Sequence, residues 1–173
     1  MNVAELINQF VVLIDPGSHL FRRIESAPWI DTLEASLPQR FPASFRSLVT
    51  RYSFPSFEAG GLSFFENQSI DGSGDRLSAA IFIDRIIADA TLKAGYIQFA
   101  RPAGGSYDPV CFDARHSVSN REFPIVQLDH EDILCRERIR TVATLADSFY
   151  RFVSDFVGRA SLDVGPERGQ PLS

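Results

Sequence analysis

Three stretches in the middle of the chain alternate apolar and polar positions at the two-residue period of a β-strand. Gly95 to Ala100 (GYIQFA) contributes Ile97 and Phe99, SYDPVCFDAR contributes Val110 and Phe112, and FPIVQLDHEDIL contributes Ile125, Val126 and Leu128 as burial positions. They predict three successive antiparallel strands, the last reaching Leu134, with a Gly104-Gly105-Ser106 hairpin turn and a loop from Ala114 to Arg121 between them. Elsewhere the period lengthens. Leu6, Ile7, Phe10, Val11 and Ile14 predict a helix over 3–14 that Asp15-Pro16-Gly17 stops. Ile30, Leu33 and Leu37 predict a second helix, with Pro28 in its first turn and an end at Leu37-Pro38. A third starts at Pro42, turning Phe45, Leu48, Val49 and Tyr52 inward and Arg46, Ser47, Thr50 and Arg51 to water.

Phe54, Phe57, Leu62, Phe64 and Phe65 then surround Gly60-Gly61, a hairpin pattern, and Asn67 to Gly74 reads as a surface loop. With Asp75 as N-cap, Ala79, Phe82, Ile83, Ile86, Ile87 and Ala90 predict one helix closing at Gly95; Ile81 falls off its apolar face, which leaves a strand open for part of the stretch. Val142, Leu145, Ala146, Phe149, Phe152, Val153, Phe156 and Val157 predict a single long helix packed on the sheet. The pattern gives one domain over 1–157 and, from Gly158 on, a flexible tail.

Composition narrows the class. The 173 residues, 45% hydrophobic and 23% charged, suit one α+β domain with its own core. Cys111 and Cys135 have no partner at ligand spacing and read as small buried hydrophobes, which suits a reducing, cytoplasmic location. The first apolar run lacks a basic leader and is too short to span a bilayer, so neither a signal peptide nor a membrane segment is expected. Net charge is −5, and 16 of the 17 basic residues are arginine. An acidic chain without a basic stripe does not suit nucleic acid. Much of the charge lies between Tyr107 and Glu137, a segment of net charge −4.

No catalytic set is visible. Asp129-His130-Glu131-Asp132 crowds an imidazole among three carboxylates, but neighbouring side chains diverge on a helix or a strand. Asp129 instead reads as an N-cap, with Asp132 favouring the helix dipole. His19 and His116 stand in loops without metal-ligand spacing, and no nucleophile elbow occurs. No metal and no cofactor are expected. Asp108 and Asp113 fall on opposite sides of a strand, and Cys111 between Val110 and Phe112 should be inert. Trp29 and Tyr107, at element edges, are the aromatics expected to stay partly exposed.

Taken together, WIDTLEASLPQRFPASFRSLVTRY, the Phe-rich pair around Gly60-Gly61, GYIQFA, YDPVCFD, PIVQLDHE and a helix ending in SFYRFV resemble the SMI1/KNR4 (SUKH) superfamily, from about Trp29 to Val157. Glu34 to Leu37-Pro38, Phe45 with Tyr52, Gly95-Tyr96 with Phe99, Val110 to Asp113 and Pro124 to His130 carry the resemblance. It implies helices on a mostly antiparallel sheet. It also implies a non-enzymatic immunity protein that binds and neutralises a cognate bacterial toxin, such as a basic nuclease-type domain. The acidic connections then become the expected partner surface: Tyr107, Asp108, Asp113, Glu122, Asp129, His130, Glu131 and Asp132. Two alternatives stand beside this: a regulatory scaffold without a toxin, and a small hydrolase or ligand-binding protein using Asp129, His130 and Glu131.

Overall fold

The computed structural model describes residues 1–67, 76–117 and 121–163, the last three by backbone alone. Helix α1 (Val3–Ile14) begins with a reciprocal cap: the Asn2 side chain accepts the Glu5 N–H at 2.9 Å and the Glu5 carboxylate accepts the Asn2 N–H at 3.2 Å. At its other end the Asp15 carboxylate accepts the N–H groups of His19, Leu20 and Phe21, fixing the turn into β1 (Arg22–Arg23). Helices α2 (Trp29–Glu34) and α3 (Ala43–Arg51) follow, then β2 (Tyr52–Ser53), which pairs antiparallel with β1. The Gly60-Gly61 turn joins β3 (Phe57–Ala59) to β4 (Leu62–Phe64).

Asn67 is buried, not part of a surface loop. Its side chain accepts the Phe54 N–H and donates to the carbonyls of Val49 and Tyr52, tying the end of α3 to β4. The rest of the expected loop, 68–74, and the expected cap Asp75 lie outside the described residues.

The helix predicted before Gly95 is two, α4 (Arg76–Phe82) and α5 (Arg85–Lys93), because Asp84 leaves the helical conformation and caps α5 through the Ile87 N–H at 3.1 Å. The break rotates the inward face. Leu77 and Ile81 are buried in α4 and Ile87 and Ala88 in α5, whereas Ile83 and Ile86 are exposed. Gly95 ends α5 with φ +88°, where a Cβ would lie 2.6 Å from the Arg115 side chain.

The predicted strands are β5 (Tyr96–Pro102), β6 (Val110–Asp113) and β7 (Ile125–Leu128). The last stops at Leu128 rather than Leu134, giving way to α6 (His130–Arg136). Two further elements replace the single C-terminal helix: β8 (Thr141–Ala146) and α7 (Phe149–Asp163). Ser148 starts α7 by accepting the Arg151 N–H at 3.0 Å, and the helix runs past Gly158. The remainder of the expected tail, 164–173, lies outside the described residues.

Strands β3 to β8 form one six-stranded sheet in chain order, antiparallel throughout, with helices on both faces: an α+β domain. On one face Ile97, Phe99, Phe112 and Ile125 pack under α1, α3 and α7. The rings of Phe45, Phe99, Phe112 and Phe149 meet at its centre, Phe99 and Phe112 stacked at 4.1 Å. The other face carries Tyr96, Cys111, Val126 and Leu128 against Ile87 of α5 and Ile133 of α6. Cys111 is fully buried, and burial pushes its thiol well above the usual range. Cys135, expected inside, is exposed on the outer side of α6. Among the described residues no helix is long and apolar enough to cross a membrane.

Candidate functional site

The junction between β7 and α6 brings together what the sequence spaces apart. Asp129 has extended backbone and caps α6 by accepting the Asp132 N–H at 2.9 Å. Because the chain changes from strand to helix there, Asp129 and His130 do not diverge as two neighbours within one element would. With Asp108, from the segment entering β6, they place three potential ligand atoms within 4.8 Å of one another.

Each of those groups is already engaged. The imidazole Nδ1 of His130 lies 2.6 Å from Asp108 Oδ1, which also accepts the His130 backbone N–H at 3.1 Å. The Gln127 amide donates to Asp108 Oδ2 at 2.7 Å. Burial alone would raise the Asp108 pKa, but the bonds from His130 and Gln127 outweigh it and hold the carboxyl below its ordinary value. An ionised carboxylate only accepts, so Nδ1 carries a proton, and in the neutral imidazole the lone pair then lies on Nε2. This orientation makes His130 a proton acceptor. Among the described residues the imidazole's hydrogen bond goes to Asp108 alone. Asp129 is ion-paired to Arg140, so a dication would have to displace a guanidinium.

Of the other expected partner contacts, Asp113, Glu122 and Asp132 are buried and are withdrawn from an exposed surface. Asp113 is held by Arg115 at 2.8 Å and by His116 Nδ1 at 3.2 Å. Glu122 faces inward, towards Ser44 and Tyr150. Asp132 receives three guanidiniums: Arg136 at 2.6 Å, Arg138 at 2.9 Å and Arg140 at 2.6 Å. Glu137, at φ +50°, turns the chain back after α6 so that Arg138 and Arg140 reach it. Three acids of the segment, Asp113, Asp129 and Asp132, are thus paired with arginines, two of which, Arg138 and Arg140, lie beyond its end.

The bond from Arg138 leads in lowering the Asp132 pKa and burial opposes it, while Arg140 and Arg136 bring the group to about 2. A carboxylate with a depressed folded value stabilises fully above its unfolded value near 3.8 and loses that contribution as pH falls towards about 2. The unfolding temperature of the wild type should therefore fall more steeply between about pH 4 and pH 2 than that of Asp132→Asn. Parallel curves from thermal melts monitored by circular dichroism would show that the arginine cluster adds nothing to the fold.

Tyr107 remains in the open, 65% exposed. Its ring is 6.1 Å from that of His130, and the Arg101 guanidinium lies 5.7 Å from its centre and 5.9 Å from that of Phe65. Arg101 Nε is buried without a hydrogen-bond partner among the described residues. Trp29 is half-buried. Sequence reading missed Arg101, Gln127, Arg138 and Arg140. Gln127 carries the best signal, a polar residue inside an apolar strand; the arginines are placed by turns with no short motif. No protein-family model and no curated protein matches the sequence.

Proposed function

We propose that the chain is a non-enzymatic protein-binding domain of the immunity-protein kind, resembling SMI1/KNR4 proteins, that neutralises a cognate toxin through the face carrying Tyr107, Asp108, His130 and Glu131. The observation that carries this reading is Tyr107, a large ring left 65% exposed between Arg101 and His130. Tyrosine and arginine dominate the energetics of protein interfaces when a rigid support presents them. Here Asp108, Gln127 and the capped start of α6 supply the support. Because the neighbouring Asp129 and Asp132 are paired with arginine, the ring rather than bulk charge is the anchor.

Tyr107→Ala is expected to weaken binding to a toxin encoded beside the gene by about thirtyfold, about 2 kcal/mol, with thermal stability unchanged. Calorimetry on the purified pair and protection of toxin-expressing cells are the readouts. A folded Tyr107→Ala protein that binds and protects like the wild type would overturn the proposal. The Asp108–His130 pair favours a second reading, a small hydrolase with His130 as general base. In that case His130→Ala, in the same assays, would leave binding intact and abolish a turnover that the wild type shows.

A further inference from the structure

The outer side of α3, on the opposite face of the sheet from α6, carries a feature of different chemistry. Ala43, Arg46, Ser47 and Thr50 recur at helical spacing on the side of α3 away from its buried Phe45, Leu48 and Val49. With Arg40, Phe41 and Arg121 they line a cavity of about 330 Å³. That volume lies within the range of small-ligand sites, and three guanidiniums share one wall with two hydroxyl side chains.

The charges around it do not cancel. Arg46 is spent on carboxylates: its Nε lies 3.2 Å from both Glu34 oxygens and its Nη2 lies 2.9 Å from Asp31. Glu34 is buried and also accepts the Phe41 N–H at 3.1 Å, so Arg40, 3.9 Å away, is only loosely paired with it. Arg121 makes no ion pair among the described residues. Its backbone stands at φ +60°, a left-handed conformation unfavourable to a non-glycine residue. The next residue explains why this persists. Glu122 is bonded to the backbone N–H and hydroxyl of Ser44, both at 2.8 Å, which clamps the segment onto the start of α3 and delivers Arg121 to the rim.

We propose that this cavity binds a small phosphate monoester. A carboxylate is satisfied by one bidentate guanidinium, whereas Arg40 and Arg121, lining the same cavity as an anchored Arg46, suit a dianion with three terminal oxygens. Ser47 can donate to the phosphoryl group. The Thr50 hydroxyl already donates to the Arg46 carbonyl at 2.7 Å, so it offers a lone pair to a ligand hydroxyl. The cavity exceeds a bare phosphate, and Ala43 offers the organic part an apolar contact.

The test is calorimetric titration of the full chain, at fixed ionic strength, with AMP and ribose 5-phosphate, against adenosine, ribose and citrate. Saturable binding of a phosphate ester is expected, with none of the neutral compounds. Arg40→Gln and Arg121→Gln should each weaken it about tenfold, and the double variant should abolish it with an unchanged melting temperature. Three results would each overturn the proposal: no binding of either ester, citrate binding as tightly as the esters, or wild-type affinity in the double variant.

Discussion

Glu122→Ala is expected to lower the free energy of unfolding by about 3–5 kcal/mol, a large share of the roughly 5–15 kcal/mol that holds such a domain together. Glu122 is buried just ahead of β7. One oxygen accepts the Ser44 N–H at 2.8 Å; the other accepts the Ser44 hydroxyl at 2.8 Å and the Tyr150 N–H at 3.2 Å. A single carboxylate thus satisfies donors in the first turns of α3 and α7, where the helix dipoles also favour negative charge. Pro42, the residue before α3, has no side-chain donor or acceptor to do this. Alanine would strand the buried Ser44 N–H and leave the part-buried Tyr150 N–H without its acceptor, and each charge-assisted bond is worth about 1.5–3 kcal/mol. Glu122→Gln, which keeps one acceptor, should recover about half the loss. Urea unfolding with an unchanged slope measures both, and a loss under about 1 kcal/mol in the alanine variant would refute the bridging role.

Phe99→Ala should cost about 4 kcal/mol, through lost apolar burial and the cavity left behind. Phe99 is fully buried and its ring meets Phe45 of α3, Phe64 of β4, Phe112 of β6 and Phe149 of α7, at 5.4, 5.6, 4.1 and 6.2 Å. No other element can close that space without abandoning its own ring contacts, so relaxation recovers little. Cys111, fully buried, provides a direct readout in a Cys135→Ser background. Its labelling by a thiol reagent requires opening of the fold, and a 4 kcal/mol loss should accelerate it about a thousandfold. An acceleration below about tenfold would mean that the aromatic cluster repacks.

The central strands and the first three helices were legible in place and order from the period of their apolar residues, although the second helix ends at Glu34 rather than Leu37 and Tyr52 belongs to β2 rather than to the third helix. Val110 with Phe112, and Val126 with Leu128, are buried where alternation puts them, while Ile125 is buried on the opposite face. The stretch from Val142 failed for an instructive reason. Strand β8 shifts register against β7 twice, once past Val142 and once past Leu145. Two extra residues in a short strand stretch its repeat from two towards three, and the outward Val142 and Leu145 fall at a spacing that Phe149 and Phe152 continue as a helix. The break at Asp84 was hidden similarly, since a single capping carboxylate overrode an otherwise unbroken helical period. At the candidate site the sequence offered Asp129 as a cap and Tyr107 as an exposed ring, and both are so placed. It could not offer the arginines on Asp132 or the inward turn of Glu122, because ion pairing across turns leaves no periodic trace in the chain.

The bulges in β8 also have a consequence for the protein in solution. At this end of the sheet stands a strand, TVATLA, without charge or proline, and mostly exposed. A straight strand of that composition would offer a regular row of free amides and carbonyls on which a second chain could crystallise into a growing cross-strand assembly. The two extra residues break that row into unequal pieces and bend it. Protection against edge-to-edge pairing at this margin therefore rests on backbone geometry, where other proteins place a lysine.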